Sequence, residues 1–328
     1  EETIEGQIPP VTRIRLKDLR DSGIDWDSFS LNNINDMKRS ERKQERPHQV
    51  NAIQAVTNGF LSADRGKLIM ACGTGKTFTS LKIAEALTKG KGNVLFLVPS
   101  ISLLNQTLIE WSAQYKYDYC AFAICSDPKA SRTSEDMHVS DVLIPATTNV
   151  DRLMAYYSLG RSKTGLNLFF STYQSIDVIS KFQHQANVEF DLIICDEAHR
   201  TTGVTLAGED ESNFVKVHND DFISGKKRLY MTATPRIYGD ETKTKANEKS
   251  AVLCSMDDET IYGQEFYHLG FSEAVSLGLL SDYKVIVLAV DENYVSKTLQ
   301  NLLTDANSEL VLEDAVKIIG CLNGLSKR

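Results

Sequence analysis

The sequence predicts an α/β fold, a mostly parallel, doubly wound sheet flanked by helices. Three observations carry this. Short apolar runs recur along the chain without polar alternation, stretches with helical spacing separate them, and a Gly-rich turn joins one run directly to a helix.

The runs are "KLIMAC" (67–72), "NVLFLVP" (93–99), "YCAFAIC" (119–125), "LNLFF" (166–170), "FDLIIC" (190–195), "KRLYMTA" (227–233) and "KVIVLAV" (284–290). Being apolar on both faces, they suit central strands of a parallel sheet covered on each side. Helical spacing marks 46–61, 76–89 and 100–115. Strands that alternate with helices imply βαβ units, hence the doubly wound arrangement. The two ends differ. Residues 1–45 are polar and poorly periodic and read as a connector from a preceding domain. A main domain follows over 46–285. The 284–290 run and a helical pattern over 308–328 make 286–328 the start of another domain, cut short.

Composition sets bounds. At 328 residues the chain has ample material for a core, and a 42% hydrophobic and 24% charged make-up is that of a globular protein in water. No run is long enough to span a bilayer, and "EETIEGQIPP" has no signal-peptide character, so no membrane is expected. The six cysteines (72, 120, 125, 195, 254 and 321) contain no CxxC pair, which favours reduced core thiols over a zinc site. A reducing, cytoplasmic and bacterial setting is expected. The net charge of −8 argues against binding nucleic acid by bulk electrostatics. The basic stretch 38–46 and the acidic stretch 208–221 read as solvated surface.

Chemistry concentrates in three places. "MACGTGKT" (70–77) closes a strand and opens a helix. Gly73 and Gly75 allow a tight turn, and with Thr74 between them the backbone N–H groups can face an anion. Lys76 can then reach the β- and γ-phosphates of a nucleotide and the Thr77 hydroxyl can hold Mg²⁺, while the helix N-terminus adds its partial positive charge. Met70 stands where the full phosphate-loop pattern has its first glycine. The simpler account is a Gly-rich turn that caps a helix.

The second place is "LIICDEAH" (192–199). A nucleotide hydrolase needs a carboxylate at a neighbouring strand end for the metal and a base to orient water, and Asp196 and Glu197 supply the two. Taken alone, an acidic helix start would suffice. The third is "YMTATPR" (230–236), where Thr232 and Thr234 follow a strand and could bond His199 or Asp196, or simply form a turn ended by Pro235. The order of all three in one chain favours the functional account.

That order resembles superfamily 2 helicases and translocases of the DEAD/DEAH type, over roughly residues 46–285. The resemblance implies a RecA-like P-loop fold, with 46–285 as the first RecA-like ATPase domain, 286–328 as the beginning of a second, and ATP with Mg²⁺ as cofactors. It makes "RPHQVNAI" the adenine segment, with Gln49 reading the base and Arg46 beside it. It makes His199, Thr232 and Thr234 the coupling between nucleotide state and domain movement. It also implies DNA contacts from Ser100 in "LVPSISLLNQ" and from Ser171, Thr172 and Gln174 in "FFSTYQSI". Such contacts come from hydroxyls, loop N–H groups and helix N-termini, so the net charge is no obstacle.

A closer resemblance is to the motor of single-polypeptide Type ISP restriction–modification enzymes, carried by "RLKDLRDSGIDWDSF", "DEAHRTTG", "RLYMTATPRIYGD", "EAVSLGLLSDYKV" and "KIIGCLNGLSKR". It implies an ATP-dependent double-stranded DNA translocase that works as a monomer. Nuclease, second motor, methyltransferase and target-recognition domains are expected in the same polypeptide. In superfamily 2 the second motor domain supplies an arginine finger, which is worth about 10³–10⁵ in rate in related phosphoryl transfer. Nothing after residue 290 is long enough to hold that domain, so these 328 residues alone are expected to bind ATP–Mg²⁺ weakly, hydrolyse it slowly and not translocate. Two other readings stay open at this stage, a strand-separating repair helicase and a non-catalytic ATP-dependent switch.

Overall fold

The computed structural model describes residues 14–20, 22–32, 41–126, 139, 142–205, 212–240, 242, 244 and 251–282. The chain divides into a unit over Glu1–Leu280 and a second over Ser281–Arg328. The expected strand 284–290, the helix within 308–328 and the boundary near 285 lie outside the described residues. The first unit holds a seven-stranded sheet in the order β3-β4-β2-β5-β7-β1-β9. Its strands are β1 (Arg65–Met70), β2 (Gly92–Val98), β3 (Tyr119–Ile124), β4 (Leu166–Thr172), β5 (Leu192–Cys195), β7 (Arg228–Thr232) and β9 (Gln264–Leu269). Every pairing in it is parallel. A separate antiparallel pair joins β6 (Gly203–Thr205) to β8 (Val252–Cys254).

The helices are α1 (Leu16–Arg20), α2 (Pro47–Gly59), α3 (Lys76–Thr88), α4 (Ile101–Gln114), α5 (Val150–Gly160), α6 (Ile176–Ala186), α7 (Glu259–Tyr262) and α8 (Phe271–Ser276). Alternation along the strands splits the core in two. Leu68, Met70, Phe96, Phe170 and Ile194 pack with Val56, Leu81 and Trp111 of α2, α3 and α4. Ile69, Leu95, Phe169 and Ile193 pack with Leu153 and Tyr157 of α5 and Ile179 and Phe182 of α6. Helices thus cover both faces, which is why these strands are apolar throughout.

Six of the expected strands are present, shifted by a residue or two. The expected 67–72 strand starts at Arg65 and ends at Met70, so Ala71 and Cys72 belong to the turn that follows. None of the five described cysteines forms a disulfide, and Cys125, Cys195 and Cys254 are buried. Burial pushes the Cys195 thiol up to about 12, which makes it an inert core group. Part of the 1–45 stretch rests on α4: Lys43 donates its backbone N–H to Gln114 Oε1 at 2.7 Å and its ammonium to Glu110 at 3.1 Å.

Edge strand β9 closes against α2 through Phe266, whose ring meets Phe60 edge-on at 5.0 Å between centroids. A Cβ added at Gly66 of β1 would overlap the Phe266 ring, and one at Gly59 of α2 would overlap its other side. The ring is therefore held from both sides. Gly66→Ala is expected to lower unfolding stability by about 1–3 kcal/mol, the usual cost of overpacking. A urea midpoint equal to that of the unaltered protein would contradict it.

Candidate active site

In a parallel doubly wound sheet, ligands bind outside the carboxyl ends of the strands. There β1 leads into the Gly-rich loop, β5 into Asp196 and Glu197, and β7 ends on Thr232. These strands stand side by side in the order β5-β7-β1.

The loop after β1 is a tight structure. Gly73 and Gly75 take φ of +82° and +88°, in the left-handed region that a side chain resists. Gly75 caps α3, which begins at Lys76. Thr74 is buried and its hydroxyl donates to the Ala71 carbonyl at 2.7 Å. Behind the loop, Trp111 Nε1 donates to the Thr77 carbonyl at 3.1 Å and fixes the first turn of α3. The Thr77 and Lys76 side chains are half-buried, and Lys76 Nζ lies 3.9 Å from Cys72 Sγ.

Asp196 is buried. Its carboxylate accepts the Glu197 N–H at 3.0 Å, and its carbonyl accepts the Tyr173 hydroxyl at 2.9 Å. Burial first, and then the charge of Glu197, push its carboxyl up to about 6, against the pull of the Glu197 N–H and the Lys76 ammonium. The expected helix start after Asp196 is a 3₁₀ turn, Ala198–Thr201, because Glu197 itself sits in the left-handed region at φ +48°. That turn carries His199 across to β7. His199 Nδ1 lies 3.0 Å from Thr232 Oγ1 and 3.3 Å from Glu197 Oε2. A carboxylate only accepts, so a proton on Nδ1 satisfies both contacts. The Thr232 hydroxyl donates to the Thr234 carbonyl at 3.2 Å and accepts the Thr234 N–H at 3.3 Å. Of the two partners expected for the threonines, Thr232 bonds His199.

Beneath the 3₁₀ turn lies a residue that the sequence reading leaves among surface groups. His218 Nε2 donates to the Thr201 carbonyl at 3.0 Å, and its Nδ1 accepts from the Tyr230 hydroxyl at 2.9 Å. Burial lowers its pKa to about 4, so the ring is neutral. Arg65 Nη1 donates to the His218 carbonyl at 3.0 Å, and the Asp220 carboxylate joins Arg65 to the buried Arg228.

The remaining expected site residues divide by exposure. Arg46 is exposed and caps α2; its N–H donates to Gln49 Oε1 at 2.9 Å. Gln49 is buried, and its other end donates to the Thr74 carbonyl at 3.4 Å. His48, which the sequence reading passes over, reaches the same carbonyl with Nε2 at 2.9 Å. Ser100 caps α4, its hydroxyl accepting the Leu103 N–H at 3.3 Å. Exposed Gln174 donates to the neighbouring Pro99 carbonyl at 3.4 Å. Ser171 and Thr172 are buried, with their hydroxyls turned to the Thr172 carbonyl and to Ser175 Oγ. Of the four residues expected to contact DNA, Ser100 and Gln174 reach the surface and Ser171 and Thr172 do not.

A parallel sheet with a Gly-rich loop on one strand and paired carboxylates two strands away defines a P-loop motor domain of the superfamily 2 helicase type. The chain belongs to the family of the Type III restriction enzyme res subunit, whose model matches residues 42–237. It is similar to the solved structure of the ATP-dependent Type ISP restriction–modification enzyme LlaBIII bound to DNA. The two share 43% identity and a TM-score of 0.74, over 98% of this chain and 21% of that one. The Type I restriction enzyme EcoAI endonuclease subunit of Escherichia coli is 25% identical over 82% of this chain and 27% of its own length. The probable helicase A859L of African swine fever virus, isolate Pig/Kenya/KEN-50/1950, is 28% identical over 75% of this chain and 24% of its own. The chain thus spans about a quarter of the curated relatives it matches. No helix among the described residues is long and apolar enough to cross a membrane.

Proposed function

We propose that this chain is the ATP-binding half of a double-stranded DNA translocase within a restriction–modification enzyme. The observation that carries the reading is the meeting of Lys76, the Asp196–Glu197 pair and the His199–Thr232 contact at one end of three adjacent strands. Gly73, Thr74 and Gly75 cradle the phosphates with backbone N–H groups, and Lys76 neutralises the terminal ones. Thr77 and Asp196 are the residues that would hold Mg²⁺. The donor set fits the ion: a buried carboxyl pushed up to about 6 is a group that gains from a cation beside it. No cluster of three or more ligating His, Cys, Asp or Glu side chains occurs among the described residues. Such an ion would be held by one carboxylate, a hydroxyl, phosphate and water. Mg²⁺ so held would offset charge on the phosphate oxygens.

Glu197 accepts the proton of the attacking water and orients it. Its contact with His199 ties that event to Thr232 and Thr234, the turn we assign to coupling. Arg46 and Gln49 border the adenine side. Ser100 and Gln174 face the DNA backbone, with Ser171 and Thr172 shaping the turn beneath them. A second motor domain would complete the nucleotide site. Nuclease, methyltransferase and target-recognition domains in the same polypeptide, a monomeric state and a bacterial cytoplasmic setting complete the proposal. These 328 residues by themselves hydrolyse ATP slowly and do not translocate.

The coupling assignment has its own test. Thr232→Val keeps the volume but removes the hydroxyl that meets His199. Nucleotide affinity is expected to hold, while stimulation of ATP turnover by duplex DNA falls several-fold, in the range of one lost hydrogen bond to a polar group. Undiminished stimulation would remove Thr232 from the coupling path. The test of the function itself is ATP turnover with and without duplex DNA in a polypeptide that carries both motor domains. DNA stimulation is expected, and its absence would defeat the translocase reading.

A further inference from the structure

We propose that His48 is a positioning residue for the phosphate loop, turning the Gly75 N–H toward the nucleotide. The inference rests on the reading above that the loop binds a nucleotide's phosphates. It starts from helix α2. Pro47 opens that helix, so His48 and Gln49 lie in its first turn, and both are buried. The helix is anchored by Ala52 and Val56 in the core shared with α3, which makes its first turn a fixed support.

From that support two donors reach one acceptor. His48 Nε2 is 2.9 Å from the Thr74 carbonyl oxygen, and Gln49 Nε2 is 3.4 Å from it. A carbonyl oxygen can only accept, so His48 carries its proton on Nε2. The His48 bond is the shorter and the better placed, because Gln49 is held back by the Arg46 N–H on its Oε1 at 2.9 Å.

The consequence follows from the peptide plane. In a trans peptide the carbonyl of one residue and the N–H of the next point in opposite directions. With the Thr74 carbonyl drawn to His48 and Gln49 of α2, the Gly75 N–H is turned away from α2. Gly75 tolerates this at φ +88°, and a side chain there would also overlap Gln49. Were the peptide to flip, a carbonyl oxygen would face the anion in place of an N–H, exchanging attraction for repulsion. His48 therefore acts on phosphate without touching it, and its effect belongs to the phosphates and not to the base.

Calorimetric titration of these 328 residues with ATP–Mg²⁺ and with inorganic tripolyphosphate–Mg²⁺ tests this. His48→Leu is expected to weaken both ligands equally, by roughly tenfold, the value of one well-placed hydrogen bond. His48→Gln, which returns an N–H donor to the same reach, is expected to restore both to within about threefold. Should His48→Leu fail to fold, His48→Asn, whose amide falls short of Thr74, reads the same loss. Unchanged tripolyphosphate affinity in the apolar variant would overturn the proposal, as would a loss confined to ATP, which would make His48 a base contact. Equal losses in His48→Leu and His48→Gln would also overturn it. If the unaltered protein binds neither ligand, the nucleotide reading fails and this inference with it. If that protein binds and the variants bind as well, only the inference fails.

Discussion

Glu197→Gln is expected to lower ATP turnover by about 10²–10⁴-fold, the usual contribution of a positioned general base, while nucleotide affinity changes little. The measurement belongs to a polypeptide in which these residues stand beside a second motor domain, with duplex DNA present. Geometry sets the expectation. Glu197 follows the buried Asp196 at the end of β5 and takes a left-handed backbone conformation at φ +48°. Its partly exposed carboxylate meets His199 at 3.3 Å. Glutamine keeps the size and can still accept from His199 Nδ1, but it cannot take a proton from water. Turnover that survives the change would place the base elsewhere. Loss of turnover with binding retained would exclude the reading of this domain as a non-hydrolysing switch.

The second large effect is on stability and comes from His218. Its ring is neutral in the folded protein, with a pKa of about 4 set first by burial and then opposed by its bond to the Thr201 carbonyl. Unfolded, a histidine titrates near 6.5. The groups that face it are Tyr230, Thr201, Tyr262, Arg65 and Arg228, and the two arginines also disfavour a third positive charge. The folded pKa lies below the unfolded one, so the unfolded chain takes the proton first as pH falls. Stability from this group is fully present above about pH 6.5 and is lost between there and about pH 4, amounting to roughly 3 kcal/mol. His218→Gln should unfold more easily at pH 7, having lost its two well-made bonds. The gap to the unaltered protein should then close by about 3 kcal/mol as pH is lowered to 4. Parallel stability curves for the two proteins across that range would contradict the assignment. Because His218 holds the end of the 3₁₀ turn that carries His199, the same loss should loosen the His199–Thr232 contact.

The sequence shows the centre of this molecule better than its rim. Leu68–Met70, Phe96–Val98 and Leu192–Cys195 are apolar because helices cover both faces of their strands, and that covering writes itself as unbroken runs. Strand β9 leaves no such mark. Gln264, Glu265 and His268 are exposed at the sheet edge and only Leu269 is buried, so no apolar run marks the strand. Helices α5 and α6 are not among the predicted elements, although Leu153 and Tyr157 in the one and Ile176, Ile179 and Gln183 in the other stand at helical spacing on the buried side. Among the site residues, Lys76, Asp196, Glu197 and His199 are recognisable by local spacing and neighbours. His48 is not, because its partner Thr74 lies 26 residues away and only folding joins them. Arg228 and His218 are hidden for the same reason: a charge at a strand start and a histidine in an acidic loop look solvated until Asp220 and Tyr230 close around them. Ser171 and Thr172 err in the opposite direction, hydroxyls that look available in a sequence and are buried in the fold.

Calorimetric titration of these 328 residues with ATP, with and without Mg²⁺, beside the Lys76→Ala protein, bears most directly on the central claim. The account predicts saturable binding of one nucleotide per chain that weakens without Mg²⁺ and disappears in Lys76→Ala. Absence of binding by the unaltered protein, or equal affinity in Lys76→Ala, would contradict it.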